Sequence, residues 1–417
     1  MQSHIGRTHT AAERAAQGRA RCTDDVEQRR AGSRKRTAGK AAASAGSFPP
    51  AEAVREPART AAFVIRHRLS SSAINFERKL HARSSHARPV RVEDLDVPAV
   101  VEPTDAVIEV AAACICGSDL WPSRGLEPSG GRPMGHEYVG TVTEVGDAVE
   151  NVKVGDFVVG SFCLSDNTCE ICRSGYQSRC VDGGFVQGTQ AQYARIPLAD
   201  GTLVVVPGGR PKDEATLASL LAASDVLGTG WFGAVAAGAG PGKTIAVVGD
   251  GAVGLMAVLA AKQLGAERIV AMSRHEDRAA LAREFGATDV VAERGDAGVA
   301  AVKELTGGLG AHGVVEAVGT QESMMQAIGA CRPGGHVGYV GVSHGVSLPG
   351  QELFFAEVNL LGGPAPVRRF LPDLIDRILK GEINPGKVFS LVLPLDDAAE
   401  GYKAMDERRA VKVLLRP

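Results

Sequence analysis

Gly249-Asp-Gly251-Ala-Val-Gly254 follows an apolar strand predicted over 244–248 and opens an apolar helix predicted over 253–264. A G-x-G-x-x-G run in open chain says little, but with these flanks it has physical content. The first glycine permits a tight strand-to-helix turn, and the second lets a ligand approach the backbone. The third brings helix and strand close, and the helix N-terminus offers its positive dipole to a pyrophosphate. The same rhythm continues downstream, with strands expected over 269–272, 314–316 and 336–340 and helices over 278–285 and 322–330. This alternation predicts a doubly wound parallel sheet that binds a dinucleotide. The 51 glycines among 417 residues suit a chain with many tight turns.

Upstream the pattern is different. Short strands are expected over 90–95, 105–112, 140–145, 157–159 and 203–206, then a helix over 215–223. That is a β-rich region, so the chain reads as an α/β protein of more than one domain. Residues 1–88 stand apart, with 18 Lys+Arg against 7 Asp+Glu, leaving 28 basic and 41 acidic residues in the rest. They show no sustained period and no apolar signal-peptide core, and are expected to form a disordered basic leader. On that expectation, removing residues 1–72 leaves activity and melting temperature unchanged. The overall net charge of −2 argues against a nucleic-acid binder, and no apolar run is long enough for a membrane span.

The eight cysteines are Cys22, Cys114, Cys116, Cys163, Cys169, Cys172, Cys180 and Cys331. Cys169-Glu-Ile-Cys172 is a C-x-x-C knuckle with Cys180 close behind, which points to metal rather than to a disulfide framework. Three thiolates leave a tetrahedral zinc one ligand short, and either Asp166 or Cys163 could complete it. A second set is Cys116-Gly-Ser118-Asp119 after a predicted strand, followed by Gly135-His136-Glu137.

With the glycine fingerprint, these motifs make the chain from about residue 89 to 417 resemble the zinc-dependent alcohol dehydrogenases of the medium-chain dehydrogenase/reductase superfamily. The resemblance implies a GroES-like β-rich catalytic domain interrupted by a Rossmann doubly wound cofactor domain. The corresponding boundaries are 89–225, 226–361 for the cofactor domain, and a C-terminal return over 362–417. It also implies that Cys116, His136 and Asp225, the last in LAASDVLGTGW, hold a catalytic zinc with one position open to an alcohol or carbonyl oxygen. Glu137 then lies beside that zinc, and Ser118 takes the hydroxyl proton. Asp166, Cys169, Cys172 and Cys180 match a structural zinc lobe, with Asp where Cys is usual. Trp121, Phe162 and Trp231 match positions that line the substrate pocket, and Trp121 replaces a histidine that many relatives use to pass the proton on. The family's extra strand before 90–94 is expected either within 73–88 or nowhere.

Gly249, Gly251, Val253 and Gly254 are the implied cofactor residues, joined by Ser273, Arg274 and Arg278 past the second Rossmann strand. NAD enzymes place an acid where this chain has Ser273, and Arg274 follows at once, so NADP is the expected cofactor and NAD the second choice. The expected activity is hydride transfer between a primary or secondary alcohol, or a carbonyl compound in reverse, and this cofactor. A polyol, amino-alcohol or glutathione-independent formaldehyde dehydrogenase is the alternative, since Asp225 occurs in that type. A non-catalytic relative would have no need of Cys116, Ser118, His136 and Asp225 together. The remaining expectations are a cytoplasmic homodimer or homotetramer with a small-molecule substrate and no nucleic-acid or membrane partner.

Overall fold

The computed structural model describes residues 63–68, 90–124 and 133–417. Strands β1 (Phe63–Arg68), β2 (Arg91–Asp96), β3 (Ala106–Ile115), β4 (Tyr138–Val145), β5 (Phe157–Gly160), β6 (Cys163–Leu164), β7 (Gly184–Phe185), β8 (Tyr193–Ile196) and β9 (Leu203–Val205) make up the first part. The middle part holds β10 (Thr244–Val248), β11 (Arg268–Met272), β12 (Asp289–Val291), β13 (Ala311–Glu316), β14 (Cys331–Tyr339) and β15 (Asn359–Gly362). Two more strands, β16 (Leu391–Pro394) and β17 (Val413–Arg416), follow near the C-terminal end.

The middle strands form one parallel sheet in the order β12-β11-β10-β13-β14-β15. Its centre, β10, is buried along Ile245–Val248, as expected of a strand covered by helices on both faces. The second sheet runs β16-β17-β3-β4-β5-β9, with β8 also on β3. The C-terminal return thus completes the first domain, because β17 pairs antiparallel with β3 through Leu414↔Cys114. The α/β architecture is the expected one: a β-rich GroES-like unit and a Rossmann sheet. The helix Val226–Ala236 is almost wholly buried, and the helix Glu214–Ala223 starts exposed and is buried along Ser219–Ala223. Among the described residues no single helix is long and apolar enough to cross a membrane.

The expectation of a disordered leader over 1–88 is corrected at β1. Phe63–Arg68 pairs in parallel with β2, from Phe63↔Arg91 to Arg68↔Asp96. Ile65 N donates to Gln190 O at 3.0 Å, and Met134 N donates to Phe63 O at 2.8 Å. Val64 is fully buried and Ile65 and His67 nearly so. The extra strand therefore exists and lies upstream of 73–88, so a cut after residue 72 removes it. Three basic side chains out of six hid a short strand in a basic background. The rest of the leader lies outside the described residues.

Candidate active site

β3 ends one residue before Cys116, and β4 begins two residues after His136, so two adjacent antiparallel strands deliver both side chains to one end of the sheet. Asp225 comes from the turn into the helix Val226–Ala236. It occupies the N-cap position without making the usual bond from its side chain to a first-turn N–H, and the carboxylate points instead at His136 and Cys116. His136 Nε2 lies 3.3 Å from Asp225 Oδ2, and Cys116 Sγ lies 3.7 Å from the same oxygen. Donor atoms of Cys116, His136, Glu137 and Asp225 all fall within 4.8 Å of one another.

Supporting bonds fix each donor. Thr229 Oγ1 donates to Asp225 Oδ1 at 2.6 Å, one helical turn on. His136 Nδ1 faces Asp119 Oδ1 at 3.4 Å, which leaves Nε2 for the cluster. Asp119 Oδ2 accepts from Cys116 N and from Gln190 Nε2, both at 3.0 Å, and Tyr402 Oη donates to Gln190 Oε1 at 2.8 Å. Behind the cluster, Lys412 Nζ donates to Glu137 Oε1 at 2.7 Å and to Ile115 O at 3.2 Å, with both charged side chains fully buried. Glu137 Oε2 is buried without a partner among the described residues.

The electrostatics suit a cation. Burial pushes the Cys116 thiol up, and the Glu137 and Asp225 carboxylates add to that. Burial alone would lower His136, but the Asp119 and Asp225 carboxylates hold it well above the usual imidazole value. Burial likewise opposes the charged form of Asp225, yet bonds from His136 and Thr229 keep its carboxyl below the ordinary range. One sulfur, one imidazole and one carboxylate crowded around a shared point, with an orphaned carboxylate oxygen beside them, fit a zinc ion.

The second cluster is equally compact. Asp166, Cys169, Cys172 and Cys180 offer donor atoms within 4.8 Å of one another, and Cys163, in β6, is outside the group. Asp166 Oδ1 lies 3.3 Å from Cys180 Sγ and accepts from Thr168 N and Cys169 N at 2.8 and 3.1 Å. Burial raises the carboxyl, but those backbone N–H groups hold it well below the usual range, so it stands ready as an anionic donor.

Between the two domains runs a cavity of about 840 Å³. It is lined by Ser118, Trp121, Phe162 and the donors Cys116, His136 and Asp225, together with Gly251, Val253 and Arg278. Gly249 takes φ +118°, and a Cβ on Gly254 would lie 2.0 Å from Gly249 O, so both glycines are sterically required. A Cβ on Gly251 would meet nothing within 4 Å, so it would project into the space that a pyrophosphate would fill. Gly251 also N-caps the helix Ala252–Gln263 with no side-chain bond, leaving first-turn N–H groups for an anion. The loop fits a dinucleotide.

Two expectations change. Trp231 does not line this cavity. It is 5% exposed, and the Arg377 guanidinium stands 5.4 Å over its ring. Asp225 and Thr229 share a helix face, and Trp231 is turned by roughly 200° from Thr229 at 100° per residue. The other change concerns Ser273 and Arg278, which are both bonded to Asp250, a residue of the fingerprint that sequence reasoning passed over. An acid between the two glycines was the available signal. Lys412 and Thr229 were also missed. Arg274 is exposed and has no partner among the described residues.

The Alcohol dehydrogenase GroES-like domain family matches residues 102–208, and the Zinc-binding dehydrogenase family matches residues 252–379. The chain is 33% identical over 355 residues to zinc-type alcohol dehydrogenase B of Aspergillus flavus, covering 82% of each chain. Among solved structures, the alcohol dehydrogenase TADH from Thermus sp. ATN1 is 32% identical with a TM-score of 0.70, over 78% of this chain and 96% of that one. A zinc-binding dehydrogenase from Sinorhizobium meliloti bound to NADP is 26% identical with a TM-score of 0.65, over 78% and 94%. With both domains matched and the donor cluster standing in the cleft between them, the chain belongs to the zinc-type alcohol dehydrogenases of the medium-chain superfamily and is an oxidoreductase.

Proposed function

We propose that the chain transfers hydride between a primary or secondary alcohol, or an aldehyde or ketone in reverse, and preferentially NADP(H). The observation that carries the reading is that the Cys116–His136–Asp225 cluster and the fingerprint loop at Gly251 line one and the same cavity. Zinc bound by those three residues supplies Lewis acidity to the substrate oxygen, and the nicotinamide supplies the hydride chemistry. The chain's own residues do the rest. Asp119 fixes the His136 ring, and Thr229 fixes the Asp225 carboxylate. Ser118 Oγ, on the cavity wall, receives the alcohol proton. Phe162 stands edge-on to His136 at 6.1 Å and stacks on Phe185 at 6.2 Å, forming an apolar wall that excludes water and accepts a carbon chain. Asp166, Cys169, Cys172 and Cys180 hold a structural zinc in this reading.

NADP is supported by Ser273 standing where an acid would repel a 2′-phosphate, and by Arg274, exposed and unengaged beside it. We also propose a reducing, cytoplasmic setting, supported by thiols gathered in metal-type clusters, and a homodimer or homotetramer, which the family relationship supports. A cofactor-turnover screen across alcohols, polyols and aldehydes, run with NADP and NAD, tests the function. The expected result is turnover that disappears in Asp225→Ala with folding intact. Turnover retained in that variant would remove Asp225 from the ligand set. A wild-type preference for NAD, or a cofactor ratio unmoved by Arg274→Ala, would sink the NADP assignment.

A further inference from the structure

Asp250 stands between the first two glycines of the fingerprint, and both oxygens of its carboxylate are engaged. Oδ2 accepts a hydrogen bond from Ser273 Oγ at 2.8 Å, and Oδ1 pairs with Arg278 Nη1 at 3.3 Å. Each side chain of the ion pair is only 11% exposed, and Ser273 is 3% exposed. Ser273 immediately follows β11, and Arg278 lies in the first turn of the helix Glu276–Phe285. The loop, a strand end and a helix start therefore close on one carboxylate. Arg278 and Gly251 line the cavity, so this network borders the open space.

In a doubly wound sheet the end of the second strand meets the adenosine ribose, and an acid there bonds the ribose hydroxyls and repels a 2′-phosphate. Position 273 carries no acid, yet a carboxylate lies within hydrogen-bond distance of its hydroxyl. We propose that Asp250 is the residue that sets the balance between NAD(H) and NADP(H) in this chain. It supplies from the glycine loop the negative charge that position 273 lacks. By pairing with Arg278, it also withholds that guanidinium from a 2′-phosphate. Both effects disfavour the phosphorylated cofactor, and Arg274 opposes them as the uncommitted neighbouring base. The inference rests on the dinucleotide reading of the fingerprint, and it fixes the direction in which a change at 250 moves the ratio whichever cofactor the wild type prefers.

The test is the dissociation constant of NADPH and of NADH, each read from the cofactor's own fluorescence on the full chain without substrate. Wild type, Asp250→Asn, Asp250→Ser, Arg274→Ala and the pair Asp250→Asn with Arg278→Gln are compared, with melting curves for each. Asp250→Asn should move the ratio toward NADPH by about 10-fold, the scale of one charge-assisted bond to phosphate, and adding Arg278→Gln should reverse part of that gain. If Asp250→Asn melts too low to titrate, Asp250→Ser gives the same reading. A ratio unmoved in both Asp250 variants, or moved toward NADH, overturns the proposal. A wild type that favours NADH, with Asp250→Asn still moving toward NADPH, upholds Asp250 and removes only the NADP preference.

Discussion

Trp121 and His344 stack with ring centroids 3.8 Å apart and planes 29° from parallel. Trp121 belongs to the short helix Leu120–Ser123 of the catalytic domain, and His344 follows β14 of the cofactor sheet, so the pair clasps the two domains beside the cavity. An aromatic pair is worth about 0.5–1.5 kcal/mol beyond its buried area. Trp121→Ala is therefore expected to raise the KM for cofactor by about 2- to 12-fold while shifting the melting temperature little. Steady-state kinetics at saturating alcohol check this, and an unchanged KM would show that the stack does not bear on cleft closure.

Lys412 and Glu137 form a fully buried ion pair. Removing the cation leaves an uncompensated charge, which costs about 3–5 kcal/mol. Lys412→Met should show that loss in denaturant melts, and adding Glu137→Gln should recover most of it. A single variant as stable as wild type would mean that Glu137 is not held charged by Lys412.

Metal analysis of freshly purified protein should return about two zinc ions per chain if both clusters fill. Cys172→Ser should lower the figure to about one and lower the melting temperature. A wild-type figure near one, unaffected by this change, would remove the Asp166 lobe as a zinc site.

Thr229 is expected to matter without touching metal. Its hydroxyl orients Asp225 from one turn along the helix. Outer partners of this kind change metal affinity by about 10- to 100-fold. Thr229→Val should release zinc to a chelator more readily by that factor, with the fold unchanged by circular dichroism.

Asp105 gives the expected pH dependence. Its side chain is fully buried, and Oδ2 accepts from Val101 N at 3.1 Å, Glu102 N at 2.8 Å and Arg195 Nε at 2.5 Å. Burial raises its pKa, but these bonds outweigh burial and hold the carboxyl below its ordinary value. A depressed carboxyl stabilises the fold fully above the unfolded value, near 4, and that stability is lost as pH falls through the lower folded value. Asp105→Asn should cost about 1.5–3 kcal/mol at pH 7 and flatten the stability profile below pH 4. Equal slopes in acid for variant and wild type would contradict this.

The elements legible in the sequence were those whose partners are near in the chain. β10, the fingerprint and the following helix form a local unit, so period and glycines suffice for them. Cys116, His136 and Asp225 could be named from their motifs, and the fold brings all three together. What escaped depends on distant partners. β1 finds its neighbours at Arg91, Pro133 and Gln190, and its own composition looks like the basic leader around it. Trp231 was placed by motif alone, and helical phase turns it away. Lys412 looks like a surface residue until Glu137, 275 residues earlier, is seen beneath it.

That separation also orders the protein's assembly during synthesis. On the ribosome, Cys116, His136 and Asp225 emerge long before Lys412, so a nascent chain can present all three donors with the Glu137 carboxylate still lacking its buried counter-charge. A chain interrupted before β17 would carry the donors and the fingerprint yet leave Glu137 unneutralised and β3 without one of its neighbours. The donor cluster therefore gains its buried counter-charge only once Lys412, 275 residues after Glu137, has joined the fold.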